Sequence, residues 1–266
     1  MTVYDAKQMT LFKNKKLNKM EIPKELIEKL KSAKSILFFT GAGISAESGI
    51  ETFRGKGGLW NKMSAQELAS YDGFMKNPNL VWEWYQYRRK IVRETEPNAG
   101  HKTIAEFEKY FNEVTVVTQN VDNLHKRAGS TNILELHGNI ERNFCLNCKT
   151  FYNVEKFIEA HEVPKCEKCG GMIRPDVVWF GEMLPQGIFA EAERKAIESD
   201  ICFIVGTSAV VYPAAYIPIS AKEAGATLVE INIEPTNISH QVDYSIIGKS
   251  GEVLPKIFKQ LIGKEM

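Results

Sequence analysis

The chain lacks the features that mark several large classes of protein. No apolar run approaches the eighteen or so residues a membrane span requires. The opening stretch MTVYDAKQMTLFKNKKLNKM has no apolar centre of the kind a secretory signal needs, and it contains lysines but no arginine, which argues against a mitochondrial presequence. Charge of neither sign is in surplus: 34 Lys and Arg face 33 Asp and Glu. Neither nucleic acid nor a membrane surface is therefore expected as a stable partner. Repeats, low-complexity tracts and Pro- or Ser-rich linkers are missing as well. Cysteine is scarce, five in 266 residues, too few for a disulfide framework in a chain this long. A reducing, cytoplasmic location is expected.

What is present is an ordinary globular composition, long enough for a substantial core. Short apolar runs alternate with helical periodicity, the pattern of an α/β protein whose doubly wound, mostly parallel, Rossmann-like sheet is covered on both faces. Strands are predicted at Ser35–Thr40, Val114–Gln119, Ile201–Gly206, Thr227–Ile233 and Tyr244–Ile247. Helices are predicted at Pro23–Ala33, Pro78–Arg93, His101–Phe111, Phe189–Ser199, Ala214–Ala224 and Val253–Ile262. Two segments break the alternation: residues 57–98, helical and rich in aromatics, and residues 145–171, which carry most of the cysteines. The expected organisation is a solvated leader over 1–21 and a Rossmann-like domain from 22–56, 99–144 and 172–266. The two insertions, 57–98 and 145–171, would pack together as a smaller module, with the ligand site in the cleft between.

Cys145-x-x-Cys148 and Cys166-x-x-Cys169 have the spacing of a zinc site, because each short loop turns two sulfurs toward one ion. Four thiolates leave no open position for water, so such a zinc is structural. Cys202, inside ICFIVG, reads as a small core side chain.

After the first strand comes Gly41-Ala-Gly43-Ile-Ser45-Ala46, the glycine pattern that lets backbone N–H groups approach a pyrophosphate. Alone it is a weak signal, since glycine also ends strands for structural reasons. The acidic ribose partner that a dehydrogenase carries on a second strand has no strand here to hold it. The segment instead continues ESGIETFRGKGGLW, where Arg54 among glycines can pair with phosphate on a loop able to close. TQNVDNLHKRAG follows the second strong strand, at the carboxyl edge where open α/β sheets bind ligands. Its Gln119, Asn120 and Asp122 suit an amide-bearing ligand such as nicotinamide, and equally suit a helix cap. His137 in ELHGN fits either a satisfied structural histidine or a base working near neutral pH.

Together these residues resemble the sirtuins, NAD-dependent protein-lysine deacylases. The likeness runs from about Ile22 onward through GAGISAESGIETFRG, TQNVDNLH, HGN, the two CxxC pairs, VVWFGE, GTS and IN, in family order. One departure is Glu51, where the family usually has proline. The resemblance implies that Gly41, Ala42, Gly43 and Ser45 hold the pyrophosphate of NAD, and that Phe53 and Arg54 shape the closing loop. It implies that Gln119, Asn120, Val121 and Asp122 line the ribose and nicotinamide pocket, and that His137 is the catalytic base. Gly206, Thr207, Ser208, Asn232, Glu234 and Ser250 would contact the adenosine side. NAD would be consumed as co-substrate and one structural zinc bound. Acylated-lysine proteins would be the partners, docking on Val178, Phe180, Gly181 and Glu182 of VVWFGE. Products would be free lysine, nicotinamide and O-acyl-ADP-ribose.

Tyr85 and Arg88 stand three apart on a predicted helix and share a face. An amphipathic helix with Arg88, Arg89 and Lys90 in water would give the same pattern. The spacing also matches the Tyr-x-x-Arg of sirtuins that remove succinyl and malonyl groups, since arginine's fork can hold a terminal carboxylate. A preference for negatively charged acyl groups, with some deacetylation, is therefore expected. A mainly deacetylating enzyme and a protein ADP-ribosyltransferase are the alternatives.

Overall fold

The computed structural model describes residues 21–53, 58–62 and 64–263. Its larger sheet consists of β1 (Ser35–Thr40), β2 (Glu113–Thr118), β3 (Ile133–Glu135), β7 (Ile201–Val205), β8 (Thr227–Asn232) and β9 (Tyr244–Ile247). All six strands run parallel, in the order β3-β2-β1-β7-β8-β9. β1 is central, with Phe38 paired to Val116 on one side and Phe203 on the other. Its SILFFT sequence is an unbroken apolar run because both of its faces are covered.

The period-2 alternation sorts the core into two layers. Ile36 and Phe38 face α1 (Lys24–Ser32), α6 (Ala99–Tyr110) and α10 (Ser250–Leu261), packing with Leu30, Phe107 and Leu254. Leu37 and Phe39 face the other way, toward Ala192 and Ala196 of α8 (Gln186–Ile197) and Ile217 of α9 (Tyr216–Glu223). Phe38 stacks on Phe203 at 4.9 Å and meets Phe107 edge-on at 5.2 Å. Cys202 is fully buried in the second layer, and burial pushes its thiol pKa up, the inert core role its surroundings imply.

A second, three-stranded antiparallel sheet has the order β5-β4-β6, with β4 at Gly138–Cys145, β5 at Phe151–Asn153 and β6 at Ile173–Val177. It packs on the aromatic helices that precede it in the chain, α3 (Ala65–Leu68), α4 (Tyr71–Lys76) and α5 (Pro78–Glu94). α5 begins where Asn77 accepts the Leu80 N–H and Pro78 occupies the first turn. Its Trp82 indole donates to the Ala160 carbonyl at 2.8 Å, and Gln86 donates to Phe157 at 2.8 Å. The two segments that break the βα alternation thus touch each other directly. A short α2 (Ala42–Ala46) and α7 (Leu124–Arg127) complete the labelled elements.

Candidate active site

In the strand order, β2 and β3 lie on one side of β1, and β7, β8 and β9 on the other. The chain reverses direction of travel between β1 and β7, which is where such sheets bind ligands. The loops leaving these two strands are in contact: Gly41 N donates to Val205 O at 3.1 Å and Gly43 N to Gly206 O at 2.8 Å. A Cβ on Gly43 would stand 2.7 Å from Gly206, and one on Gly206, whose φ is +59°, only 2.3 Å from Ile44 N. Backbone rather than side chain therefore lines this end of a cavity of about 780 Å³, where Gly41, Ala42 and Gly43 face Gly206, Thr207 and Ser208. A pyrophosphate fits such a cradle, because only exposed main chain stands in its way.

The floor comes from the loop after β2. Gln119, Asn120 and Val121 line the cavity. Asn120 Nδ2 donates to Gly41 O at 3.1 Å and Ser45 Oγ at 3.2 Å, while Ser45 Oγ donates to Asp122 Oδ2 at 2.7 Å. Ser45 and Asp122 are buried one layer behind the lining. Burial raises the Asp122 pKa, against the hydrogen bonds from Ser45 and Leu124 N, which lower it. Behind them lie two buried histidines that the sequence reading did not single out. His101 Nε2 is 3.4 Å from Ser45 Oγ, and His125 Nε2 is 2.9 Å from Thr40 Oγ1. Both Nδ1 atoms are buried without a hydrogen-bond partner among the described residues. No periodicity marks them, because only the fold brings residues 101 and 125 together.

His137 stands between β3 and β4, beside Gly138 at φ +79°. Its Nδ1 lies 2.9 Å from the main-chain oxygen of Gln119, an atom that can only accept, so Nδ1 carries the hydrogen and Nε2 the lone pair. His137 lines the cavity, in position to take a proton there. At the opposite end, Asn232, Glu234 and Ser250 line the wall. Asn232 Nδ2 reaches Thr207 O at 3.2 Å, and Ser250 Oγ and Gly251 N both donate to Glu47 Oε1, closing the start of α10. Phe53 lines the cavity with Trp60 at 5.3 Å. Arg54 lies outside the described residues. Glu51 pairs with Lys62 at 2.7 Å, both about half exposed.

Tyr85 and Arg88 reach the same cavity from α5, and both are buried. The Arg88 guanidinium lies 5.0 Å from the Phe53 ring centroid and 5.7 Å from that of Trp84. Among the described residues it has no carboxylate partner. Burial lowers its pKa, opposed by the neighbouring Tyr85 and the carboxylates of Asp122 and Glu51. Its neighbour Arg89 is fully buried too, but fully used, bonding Ile140 O, Gln86 and Asn143. Burial pushes the Tyr85 hydroxyl up to about 12, which keeps its proton in place.

Val178, Phe180, Gly181 and Glu182 line the facing wall. Four of that segment's N–H groups are engaged: Val178 to His137 O, Trp179 to Glu182 Oε2, Phe180 to Ala69 O and Glu182 to Trp179 O. The Glu182 carboxylate turns inward to the Arg174 guanidinium, so it braces the segment.

The four sulfurs of Cys145, Cys148, Cys166 and Cys169 lie within 4.8 Å of one another, with two pairs at 3.5 Å. A zinc with Zn–S bonds near 2.3 Å needs tetrahedral edges of about 3.8 Å, so the set fits. Tyr152 Oη stands 3.1 Å from Cys166 Sγ and lowers that thiol's pKa, while hydrogen bonding with Thr150 pulls Cys148 down to about 6. Both favour the thiolate a metal requires.

Comparison with known proteins gives matching findings. The Sir2 family profile matches residues 41–213. The NAD-dependent protein deacylase 2 of Pyrobaculum aerophilum is 52% identical over 87% of this chain and 93% of its own. The crystal structure of a Sir2 homologue with NAD superposes with a TM-score of 0.87 at 42% identity, covering 92% of this chain and 96% of that one. Sir2Af2 bound to a myristoylated histone peptide superposes at 0.73 and 39% identity, covering 91% and 98%.

Proposed function

The chain belongs to the Sir2 family of NAD-dependent protein deacylases, and from that premise we propose that it acts preferentially on lysines carrying negatively charged acyl groups, succinyl and malonyl, with residual deacetylation. One observation carries the preference: Arg88 is a buried cation on the cavity wall with no carboxylate partner among the described residues. A buried unpaired charge costs several kcal/mol unless a ligand supplies the counter-charge. Arginine's fork can take a terminal carboxylate through two hydrogen bonds, and the protonated Tyr85 hydroxyl can add a third. An acetyl methyl offers neither anything to bind.

When bound, NAD supplies an electrophilic ribose carbon and nicotinamide as its leaving group. The placement of the chain's residues supports the following roles. Gly41, Ala42, Gly43 and Gly206 shape the pyrophosphate cradle, where the lack of side chains lets the phosphates come close to the main chain, with Ser45 setting Asn120 from behind. Gln119, Asn120, Val121 and Asp122 enclose the nicotinamide ribose. Thr207, Ser208, Asn232, Glu234 and Ser250 face the adenosine, with Phe53 on the cavity wall. His137 takes a proton from a ribose hydroxyl at Nε2, its tautomer fixed by Gln119, so that this hydroxyl can accept the acyl group.

The substrate is an acylated-lysine protein segment, as in the histone-peptide complex of Sir2Af2. It would lie along Val178–Glu182, where the Gly181 N–H makes no hydrogen bond among the described residues. Zinc, held by the four cysteines, ties the small module together. That module is residues 57–98 and 145–171, the remainder from 22 onward being the NAD-binding domain. Four reduced thiols suit a cytoplasmic setting.

The test is kcat/KM on matched acetyl- and succinyl-lysine peptides, with nicotinamide release as the readout. Equal values for the two would favour the alternative, a mainly deacetylating enzyme.

A further inference from the structure

Tyr85 and Trp179 meet at the acyl end of the cavity, and their contact decides where the tyrosine hydrogen can point. The indole N–H of Trp179 donates to Tyr85 Oη at 2.8 Å. A phenol has one hydrogen to give and lone pairs to receive. With a donor seated on the oxygen, the hydrogen must find an acceptor elsewhere, and among the described residues it has none.

Trp179 cannot easily turn away. It is 2% exposed, its ring centroid is 5.2 Å from that of Phe74, and the Arg174 guanidinium carbon stacks 3.2 Å from the centre of its ring. Its backbone N–H is pinned by Glu182, which itself holds Arg174. The indole donor is thus fixed from ring and backbone alike.

We infer that Trp179 is a specificity-determining positioning residue, which commits the Tyr85 hydroxyl to donating into the cavity beside Arg88 and so selects acyl chains that end in a carboxylate. This rests on the reading that Tyr85 and Arg88 receive the acyl terminus. An acceptor-ended chain takes the directed hydrogen bond, whereas a methyl-ended chain gains nothing from it. Without the indole donor the phenol is free to spend its hydrogen elsewhere, and the pocket must reorder it on binding.

The experiment replaces Trp179 by Phe, which keeps an aromatic ring and removes the donor. A second variant carries benzothienylalanine at 179, which swaps only N–H for sulfur and guards against misfolding. Succinyl- and acetyl-lysine peptides are compared with wild type, Arg88→Met, Tyr85→Phe and Trp179→Phe/Tyr85→Phe. Both 179 variants should raise KM for the succinyl peptide about three- to tenfold, with kcat and the acetyl kcat/KM within about twofold. The double variant should resemble Tyr85→Phe alone, since the two residues act through one hydroxyl. A parallel loss on both peptides, or no loss on either, overturns the role of Trp179. If Arg88→Met still abolishes the succinyl preference in that case, the acyl reading survives. A wild type without that preference, and a ratio unmoved by Arg88→Met, overturns both.

Discussion

His137 Nδ1 lies 2.9 Å from the main-chain oxygen of Gln119, and the main-chain oxygen of His137 accepts the Val178 N–H at 2.9 Å. One residue thereby joins the floor of the NAD pocket to the wall proposed to receive the peptide. The side chain supplies the base and the backbone supplies the join, so the two can be separated by mutation. His137→Ala should lower kcat for deacylation by about 10²- to 10⁴-fold while Tm stays within a few degrees of wild type. Mass spectrometry of O-acyl-ADP-ribose formation, beside a thermal melt, checks this. Retention of acyl transfer would remove His137 as the base.

Arg88→Met removes a cation that has no carboxylate partner among the described residues. Charge-assisted hydrogen bonds are worth about 1.5–3 kcal/mol, so kcat/KM on succinyl-lysine should fall roughly ten- to a hundredfold. Stability should not suffer much, because a buried charge is replaced by a chain of similar length and no ion pair is broken. The acetyl peptide should change by severalfold at most. Steady-state kinetics on the two peptides gives the answer.

Zinc should be needed for the fold of the small module rather than for chemistry. Cys145 is in register with Ile173 across β4 and β6, and Cys166, Ile173 and Trp82 form one buried cluster. Cys145→Ser should release the metal, lower Tm and expose the Trp82 environment. Metal analysis and tryptophan fluorescence would show it. A metal-free variant with wild-type Tm would contradict a structural role.

Five of the six parallel strands were legible because runs such as ICFIV and LVEI are covered on both faces. The three-residue β3 and the antiparallel sheet were not. Gly138–Cys145 reads GNIERNFC, with no period-2 alternation, since Arg142 pairs with Asp176 of β6 beside a bulge and Asn143 accepts from Arg89 of α5. Of the proposed nucleotide contacts that are described, all except Ser45 and Asp122 line the cavity; those two support it from behind. Hidden from sequence were residues whose burial depends on distant partners. Arg89 is hydrogen-bonded by the Ile140 carbonyl and Asn143 amide of β4, Arg174 is paired with Glu182, and Glu230 on β8 accepts from the hydroxyls of Thr236, Ser239 and Ser245.

The buried histidines set a pH dependence of stability. Burial depresses His101 from 6.5 to about 4 and lowers His125 well below its ordinary value. As pH falls through 6.5 the unfolded chain binds these protons first, while the folded chain does not, so stability drops with falling pH. For His101 the loss accumulates between about 6.5 and 4 and amounts to roughly 3 kcal/mol. Urea melts at pH 7 and pH 5 should show the decline, and His101→Gln should flatten it. An unchanged slope in that variant would mean that another group titrates.

The contact of the two phosphate-side loops gives the sharpest steric prediction. Gly206→Ala meets two separate obstacles: a left-handed φ of +59°, and a Cβ 2.3 Å from Ile44 N, a main-chain atom that can only move with α2. Gly225, after α9, has φ +98° but open space where a Cβ would go. Gly225→Ala therefore isolates the conformational strain, about 1–2 kcal/mol, and should leave KM for NAD unaltered. Gly206→Ala adds displacement of the Gly41–Gly43 turn, so it should lose more stability than Gly225→Ala and raise KM for NAD at least about tenfold. Paired denaturant melts and NAD titrations separate the two effects. Equal costs at the two positions, with KM unchanged, would show that the loops tolerate separation and that their close approach is not what shapes the dinucleotide site.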